Sequence, residues 1–380
     1  MRARRAVLVL ALTLGAIAPL AAQDSEFSLH GLGLVGRPMS ARAAGSAGAL
    51  ALFDAATPLN PAALGRWQTM VGWVVGAPSH GSFGGGGQSG TLDATRFPLI
   101  GFATRPGERL AIGLTISDYL DRSWGVSQVD TTVLRGDSTE FTDVSKSLGG
   151  VSDLQAAGAY QVSSRLTLGL GLHVLTGSAR ATVQREYTDT SYTNYGDSAL
   201  TDFSGAGLSL GATMQITRTL AMSGMLRVNS SLTAKKISTG ERAAVHLPEE
   251  AGLGLLYQPA PGVTFAASAQ YAGWARASDD LVAAGQEGAR NVWSYSVGGE
   301  LAAFRRGSGR TPLRFGYRSR QLPFLVGGAL VGEHAFSLGT ALVFASARTT
   351  LDLGVERGSR SVGSLAEHFT NGYVGLTIAP

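Results

Sequence analysis

Along much of the chain, large apolar residues occupy every second position. In Leu166-Thr167-Leu168-Gly169-Leu170-Gly171-Leu172-His173-Val174 the even positions are aliphatic and the odd ones small or polar, which on a pleated strand separates two faces. The pattern recurs in Leu313, Phe315 and Tyr317 against Arg314, Gly316 and Arg318, and in Leu351, Leu353 and Val355 against Asp352, Gly354 and Glu356. It returns in Val263, Phe265, Ala267, Ala269 and Tyr271, and in Trp293, Tyr295, Val297 and Leu301, whose alternate partners include Thr264, Ser268, Ser296 and Glu300. Arginine and glutamate at every second position cannot face hydrocarbon near the membrane midplane without a large cost. They point into an interior, and the apolar face meets lipid.

Connection lengths alternate as well. Short turns at Pro106-Gly107-Glu108, Ser163-Ser164, Thr217-Arg218, Pro259-Ala260-Pro261 and Ala347-Arg348 are separated by longer polar connections, as short periplasmic turns and long external loops are in bacterial barrels. The pattern predicts strands near 67–77, 96–104, 110–120, 151–161, 165–176, 204–216, 219–229, 247–258, 262–274, 291–304, 311–319, 334–345, 348–357 and 369–378, about fourteen in all. Residues 121–150 and 177–203, rich in Asp, Thr, Ser and Tyr, read as solvated loops with room for strand extensions beyond the membrane. Trp124, Trp274 and Trp293 fall near outer strand ends and Trp67 near a periplasmic end, where indole suits the headgroup boundary. Trp73 lies inside a strand and reads equally well as packed.

Composition narrows the class. Charged residues make up 15% of the chain against about 25% in soluble domains, and 52 of 380 residues are glycine. With no cysteine, no disulfide framework holds the fold together. The start, with Arg2, Arg4 and Arg5, an apolar run from Ala6 to Leu20 and then Ala21-Ala22-Gln23, reads as a signal peptide over 1–22 cleaved near Ala22. Three of the 31 basic residues belong to that leader, leaving 28 against 27 acidic residues. With basic residues only in scattered pairs such as Lys235-Lys236 and Arg305-Arg306, nucleic acid is not an expected partner. No later segment has the 18 or so continuous apolar residues of a helical span. The expected fold is therefore an all-β transmembrane antiparallel up-and-down barrel over 67–380 in the bacterial outer membrane. Outer-membrane lipids and the barrel-assembly machinery are its expected partners. Residues 23–66 precede the first strand and are Gly/Ala-rich, yet Leu32, Leu34, Val35, Leu50, Leu52, Phe53 and Leu64 argue against a fully solvated tail, so a small plug inside the lumen is expected.

Two motif matches carry little. Gly31-Leu32-Gly33-Leu34-Val35-Gly36 satisfies the dinucleotide fingerprint, but no strand precedes it and no βαβ unit follows. Gly207-Leu208-Ser209-Leu210-Gly211 matches the hydrolase nucleophile elbow but lies inside an alternating strand, where Ser209 reads as a lumen-side or packing residue. His30, His80, His173, His246, His334 and His368 have no close metal-ligand spacing, and neither metal nor cofactor is expected. Alternation puts Glu300, Arg314, Arg318, Asp352 and Glu356 on the lumen side of late strands. They read first as an ion-pair network bracing the interior and second as contacts to a ligand headgroup.

Between Arg42 and Gly65 the chain runs through a small-residue stretch to Asp54 and then Asn60-Pro61-Ala62-Ala63-Leu64. This resembles the amino-terminal signature of the FadL-type outer-membrane transporters of hydrophobic compounds and their PorV-like relatives. Leu313-Arg314-Phe315-Gly316-Tyr317-Arg318 with Leu322-Pro323-Phe324, and Gly354-Val355-Glu356-Arg357-Gly358 through Tyr373-Val374-Gly375-Leu376-Thr377, are similar to them too. The ending Ile378-Ala379-Pro380 departs from barrels that finish on an aromatic residue. The resemblance implies a fourteen-stranded barrel with an amino-terminal plug and passive uptake of hydrophobic or amphipathic small molecules, such as long-chain fatty acids or aromatic hydrocarbons. Arg42, Asp54, Asn60 and Pro61 are the plug and gating candidates: Pro61 would set the chain direction into the barrel, and Asn60 or Asp54 would bond backbone groups in the lumen. Two alternatives stand beside transport: a PorV-like scaffold or shuttle with secretion-system partners, and an outer-membrane hydrolase. No Walker-type phosphate loop offers an energy source, so flux would follow the substrate gradient.

Overall fold

A computed structural model describes residues 25–85, 88–306, 309–344 and 348–379. The expected leader over 1–22 and Ala347 of the last short turn lie outside the described residues. Among the described residues, fourteen long antiparallel strands close into a barrel. They are β1 (Val71–Gly85), β2 (Gln88–Thr104), β3 (Leu110–Asp121), β4 (Asp137–Gln161), β5 (Leu166–Tyr187), β6 (Tyr195–Gln215) and β7 (Leu220–Asn229), then β8 (Glu250–Ala260), β9 (Val263–Ala272), β10 (Val292–Arg306), β11 (Gly309–Val326), β12 (Ala329–Phe344), β13 (Thr349–Val362) and β14 (Leu365–Ile378). Each pairs with its sequence neighbour, and β14 returns to β1 from Ile378↔Gly72 to Ala366↔Gly84, so the sheet has no free lateral edge at the seam. No helix among the described residues is long and apolar enough to cross a membrane.

The two faces divide as the alternation requires. On β5, Leu168, Leu170, Leu172 and Val174 are exposed outward while His173 is buried inward. On β11 and β13, Arg314, Arg318 and Glu356 are buried in the lumen. The periplasmic ends lie near the predicted positions, but several strands run further outward. β4 reaches back to Asp137, β5 on to Tyr187 and β2 out to Gln88. Above the membrane both faces are wet, so pairing continues without apolar alternation. Trp124–Leu134 adds a further strand against the outer half of β4, and Leu232–Lys236 pairs with both β6 and Arg242–Val245.

Trp274 corrects a sequence expectation. It does not sit at a headgroup boundary but is 2% exposed in a short 3-10 helix, packed edge-on against Phe324 with ring centroids 5.1 Å apart. The external connection 273–291 folds inward, so its apolar residues join Leu32, Tyr119, Leu120 and Leu247 in one buried cluster at the outer mouth. Trp73 is packed inside, buried and stacked with Trp67 at 5.9 Å.

Residues 25–70 thread the lumen. Ser25 meets Glu367 of β14, Leu34–Val35 pairs with Asp121 and Leu120 of β3, Ala41–Gly45 forms a short helix and Pro61–Arg66 a 3-10 turn before β1 begins at Val71. The inner wall is shaped to receive this segment. A methyl group at Gly316 would strike Ser46 O, and one at Gly211 would strike Asn60 Oδ1. Glycine therefore lets two backbones meet at Gly316 and leaves room for the Asn60 side chain at Gly211.

Candidate functional site

Two knots of charge tie the N-terminal segment to the wall. In the first, Arg42 of the short helix donates Nε and Nη2 to the Glu300 carboxylate of β10 at 3.0 and 3.1 Å. Arg314 of β11 donates Nε to the same carboxylate at 2.7 Å and Nη1 to Asp352 of β13 at 2.5 Å. In the second, Arg37 grips Glu356 of β13 with two nitrogens at 2.7 and 3.1 Å, and Arg318 reaches the same carboxylate at 3.1 Å. Arg318 also meets Glu333 of β12, which accepts from Arg320 at 2.6 Å and from Arg360 at 2.6 Å, and Arg360 continues to Glu367 at 2.5 Å. The bidentate fork of arginine fits a carboxylate in one plane, so each grip fixes orientation as well as distance.

The five wall charges picked out by alternation thus fall into two groups, Glu300-Arg314-Asp352 and Arg318-Glu356, each gripped by one arginine from the N-terminal segment. Arg37, Arg320, Glu333, Arg360 and Glu367 belong to the same network and were not singled out from the sequence. Their signal was present: Glu333 shares its face with Ala335 and Ser337 opposite Phe336 and Leu338, and Arg360 shares the parity of Glu356.

The remaining N-terminal candidates lie away from these knots. Asp54 accepts from Ser40 Oγ and from the Ala56 amide at 3.1 Å, while Ser40 Oγ accepts from the Ala43 amide at 3.0 Å as the helix cap. Asp54 therefore ties the segment to itself rather than to the wall. Asn60 does both. Its Nδ2 donates to Leu52 O at 3.0 Å and to Ser223 Oγ of β7 at 2.6 Å, and its Oδ1 caps the turn by accepting from the Ala62 amide at 3.0 Å. Pro61 occupies the first turn of that 3-10 helix, where its missing N–H costs nothing.

Above the segment lies a cavity of about 150 Å³ bordered by Met39, Leu59, Tyr119, Met225, Trp274, Arg227 and Asp153 among others. Its wall is interrupted on one side. β2 and β3 pair only from Leu99↔Ser117 to Thr104↔Ile112; outward of Ser117, β2 pairs with β1 alone and the freed edge of β3 takes up Val35 and Leu34. An ion pair of 2.5 Å from Arg96 on β2 to Asp121 on β3 spans the divergence.

Neither a family model nor a curated protein matches the sequence. Solved structures match in three dimensions. The toluene transporter TodX of Pseudomonas putida is 14% identical with a TM-score of 0.60, covering 90% of this chain and 99% of that one. The monoaromatic hydrocarbon channel CymD is 16% identical with a TM-score of 0.58 over 92% and 99%. The fold is FadL/TodX-like. A FadL homologue from Pseudomonas aeruginosa, 12% identical with a TM-score of 0.57 over 90% and 98%, agrees.

Within this FadL/TodX-like barrel the wall holds one constellation of which the Gly207–Gly211 motif match announced only the serine. Ser209 Oγ of β6 lies 2.8 Å from His173 Nε2 of β5, and His173 Nδ1 lies 2.9 Å from Asp153 Oδ2 of β4. Asp153 also accepts from Arg227 Nη1 at 2.7 Å. With Nδ1 facing a carboxylate, the ring proton sits there and Nε2 accepts from the serine. Ser209 is lumen-side, but it is one end of a four-residue chain across β4 to β7 rather than an isolated packing residue. Four strands contribute, so the contact depends on register, which periodicity does not supply.

Proposed function

We propose that the protein is an outer-membrane channel for passive uptake of hydrophobic or amphipathic small molecules, in which residues 25–70 act as the plug. The cavity above that segment carries the reading: it combines apolar side chains with a few polar groups, as small-molecule sites do, and lies inside a barrel whose fold neighbours are described as hydrocarbon channels. Arg37 and Arg42 are the latches. Loosening them opens a path toward the periplasmic end, and the divergence of β2 from β3 offers a second exit beside the cavity. Export by a leader cleaved near Ala22 and insertion by the barrel-assembly machinery complete the proposal. Protein in liposomes should show saturable uptake of toluene or oleate above empty liposomes, and the folded barrel should migrate faster on gels before boiling than after. Uptake equal to that of empty liposomes refutes the reading.

One observation favours a second reading, hydrolysis: the hydrogen-bonded order Ser209, His173, Asp153 is that of an activated serine. Against it, Asp153 borders the cavity while Ser209 lies behind it, and Ser209 sits in register between Gly171 and Arg227, with no turn or helix terminus to offer oxyanion donors. A fluorophosphonate probe that labels Ser209 in the folded barrel would favour hydrolysis; an unlabelled Ser209 leaves uptake as the reading. A secretion scaffold has no feature of its own among the described residues.

A further inference from the structure

The rule that charge points inward has an exception on β13. Arg357 has the parity of Leu351, Leu353 and Val355, and it is exposed on the outer surface. Its register partners are Phe336 on β12 and Thr370 on β14. One row further out, Ser359 lies between His334 and His368, both exposed and both diagonal neighbours of Arg357. Diagonal positions across a ladder are within reach of a long side chain. Among the described residues the Arg357 side chain forms no salt bridge or hydrogen bond with another side chain.

The height of Arg357 decides what it meets. Eight residues beyond Thr349, at roughly 3.3 Å per residue and a tilt of about 40°, place it about 20 Å from the periplasmic turn, near the top of an apolar band about 25 Å tall. Side chains below and above agree. Leu338, Val355 and Val374 face outward beneath it, and His334, Ser359 and His368 lie above. Beside it, Tyr317 bonds His334 through Oη and Nδ1 at 2.8 Å and packs on Phe336 with centroids 4.8 Å apart. Either tautomer of His334 satisfies this contact, and the one in which the phenol donates to Nδ1 leaves Nε2–H free as a donor. Below this polar group Phe315, Phe336 and Leu338 line an open apolar groove on the outer wall.

We infer that Arg357, flanked by His334 and His368, is an outer-wall site for the phosphate of an outer-leaflet amphiphile whose acyl chain lies in the groove over Phe315, Phe336 and Leu338. A guanidinium at this depth is desolvated on its lower side and faces headgroups on its upper side, so a lipid phosphate is the acceptor within reach. The arginine fork matches phosphate oxygens in pairs, and the histidines add donors from both flanks. The groove supplies the chemistry that separates a lipid from a free anion: inorganic phosphate satisfies the head of the site and leaves the apolar part uncovered.

The full barrel in nanodiscs of phosphatidylcholine doped with a small fraction of phosphatidic acid tests this by native mass spectrometry. Retention of phosphatidic acid over phosphatidylcholine is expected. Arg357→Leu should reduce that retention at least tenfold, and Arg357→Lys should recover part of it, because lysine keeps the charge and loses the fork. Arg165→Leu, at the periplasmic end, serves as the control and should leave it unchanged. A faster-migrating unboiled band for each variant shows that the barrel has formed, so loss of lipid is not loss of fold. Equal retention of the two lipids, unchanged retention in Arg357→Leu, or displacement of the bound lipid by millimolar inorganic phosphate would each overturn the inference, the last by showing a free-anion site.

Discussion

Replacing Arg37 with methionine tests how firmly the N-terminal segment is latched. The pair is well enclosed: the Arg37 side chain is 16% exposed and that of Glu356 0%. Two charge-assisted hydrogen bonds are removed, each contributing about 1.5–3 kcal/mol. Part of the loss is offset, because Glu356 keeps Arg318 at 3.1 Å, Asn371 at 3.3 Å and Ser337 at 3.4 Å. Methionine also retains much of the apolar stem. The expected net loss is about 2–4 kcal/mol, or about 30- to 1000-fold in the equilibrium between docked and released segment. Amide exchange reads this locally. Protection at Ala44, whose N–H donates to Ser40 O at 2.8 Å, and across 36–48 should fall by that factor while the strands of the barrel are unaffected. A double-mutant cycle with Glu356→Gln should return a coupling of about 1.5 kcal/mol or more. Coupling below about 0.5 kcal/mol, the range of independent sites, would show that the segment is held by backbone packing and not by the charges.

Three further outcomes follow from other parts of the molecule. Gly211→Val drives a side chain into Asn60 Oδ1 and Pro61, so exchange across 57–65 should quicken at least tenfold, whereas Gly332→Ala, which has open space around it, should leave the molecule unchanged. Leu172→Arg places a charge on the lipid face and should cost about 2–4 kcal/mol of folding into vesicles, read from urea titrations; wild-type stability would mean that this face does not meet hydrocarbon. The Glu287 carboxylate accepts from the Gly328 and Gly327 amides at 2.7 and 2.9 Å, and these donors hold it below the usual carboxylate range. A depressed folded-state value stabilises the docked loop above the unfolded value, and that contribution is lost as pH falls through the folded one. Intrinsic-rate-corrected protection at Gly327 and Gly328 should therefore drop on acidification, and Glu287→Gln should flatten the profile.

The membrane-spanning part of the barrel was legible because lipid and lumen impose opposite demands on adjacent residues. Leu168 to Val174 and Leu313 to Arg318 carry that demand plainly. Outside the membrane the demand ends, which is why 88–95 was not recognised as strand, and why 137–150 and 177–187 read as solvated loops in which strand extensions had room but no placed ends. Trp274 misled for a related reason: aromatic residues at a strand end favour the headgroup boundary only if the loop stays outside, and here 273–291 turns inward. The knots at Glu300 and Glu356 were legible as inward charge. Their separation into two, and the arginines that close each from the N-terminal segment, required register and a path for residues 25–70 that no periodicity encodes. The pairing of Leu34–Val35 with β3 is two residues long, too short to leave a pattern.

The glycine-lined interior has a consequence for how the molecule is made. The N-terminal segment touches wall positions on β6, β8, β11, β12 and β14, so closely that a methyl group on the wall glycines there would press into it. It also enters β1, one side of the final seam, within a few residues of Arg66. Synthesis delivers this filler first, yet the surfaces that receive it arrive strand by strand until the last. The simplest order of assembly is that the cylinder gathers around its contents as β14 zips to β1. Any change that keeps residues 25–70 outside at that moment should trap a ring with a hollow bore, stable in detergent and permanently conductive.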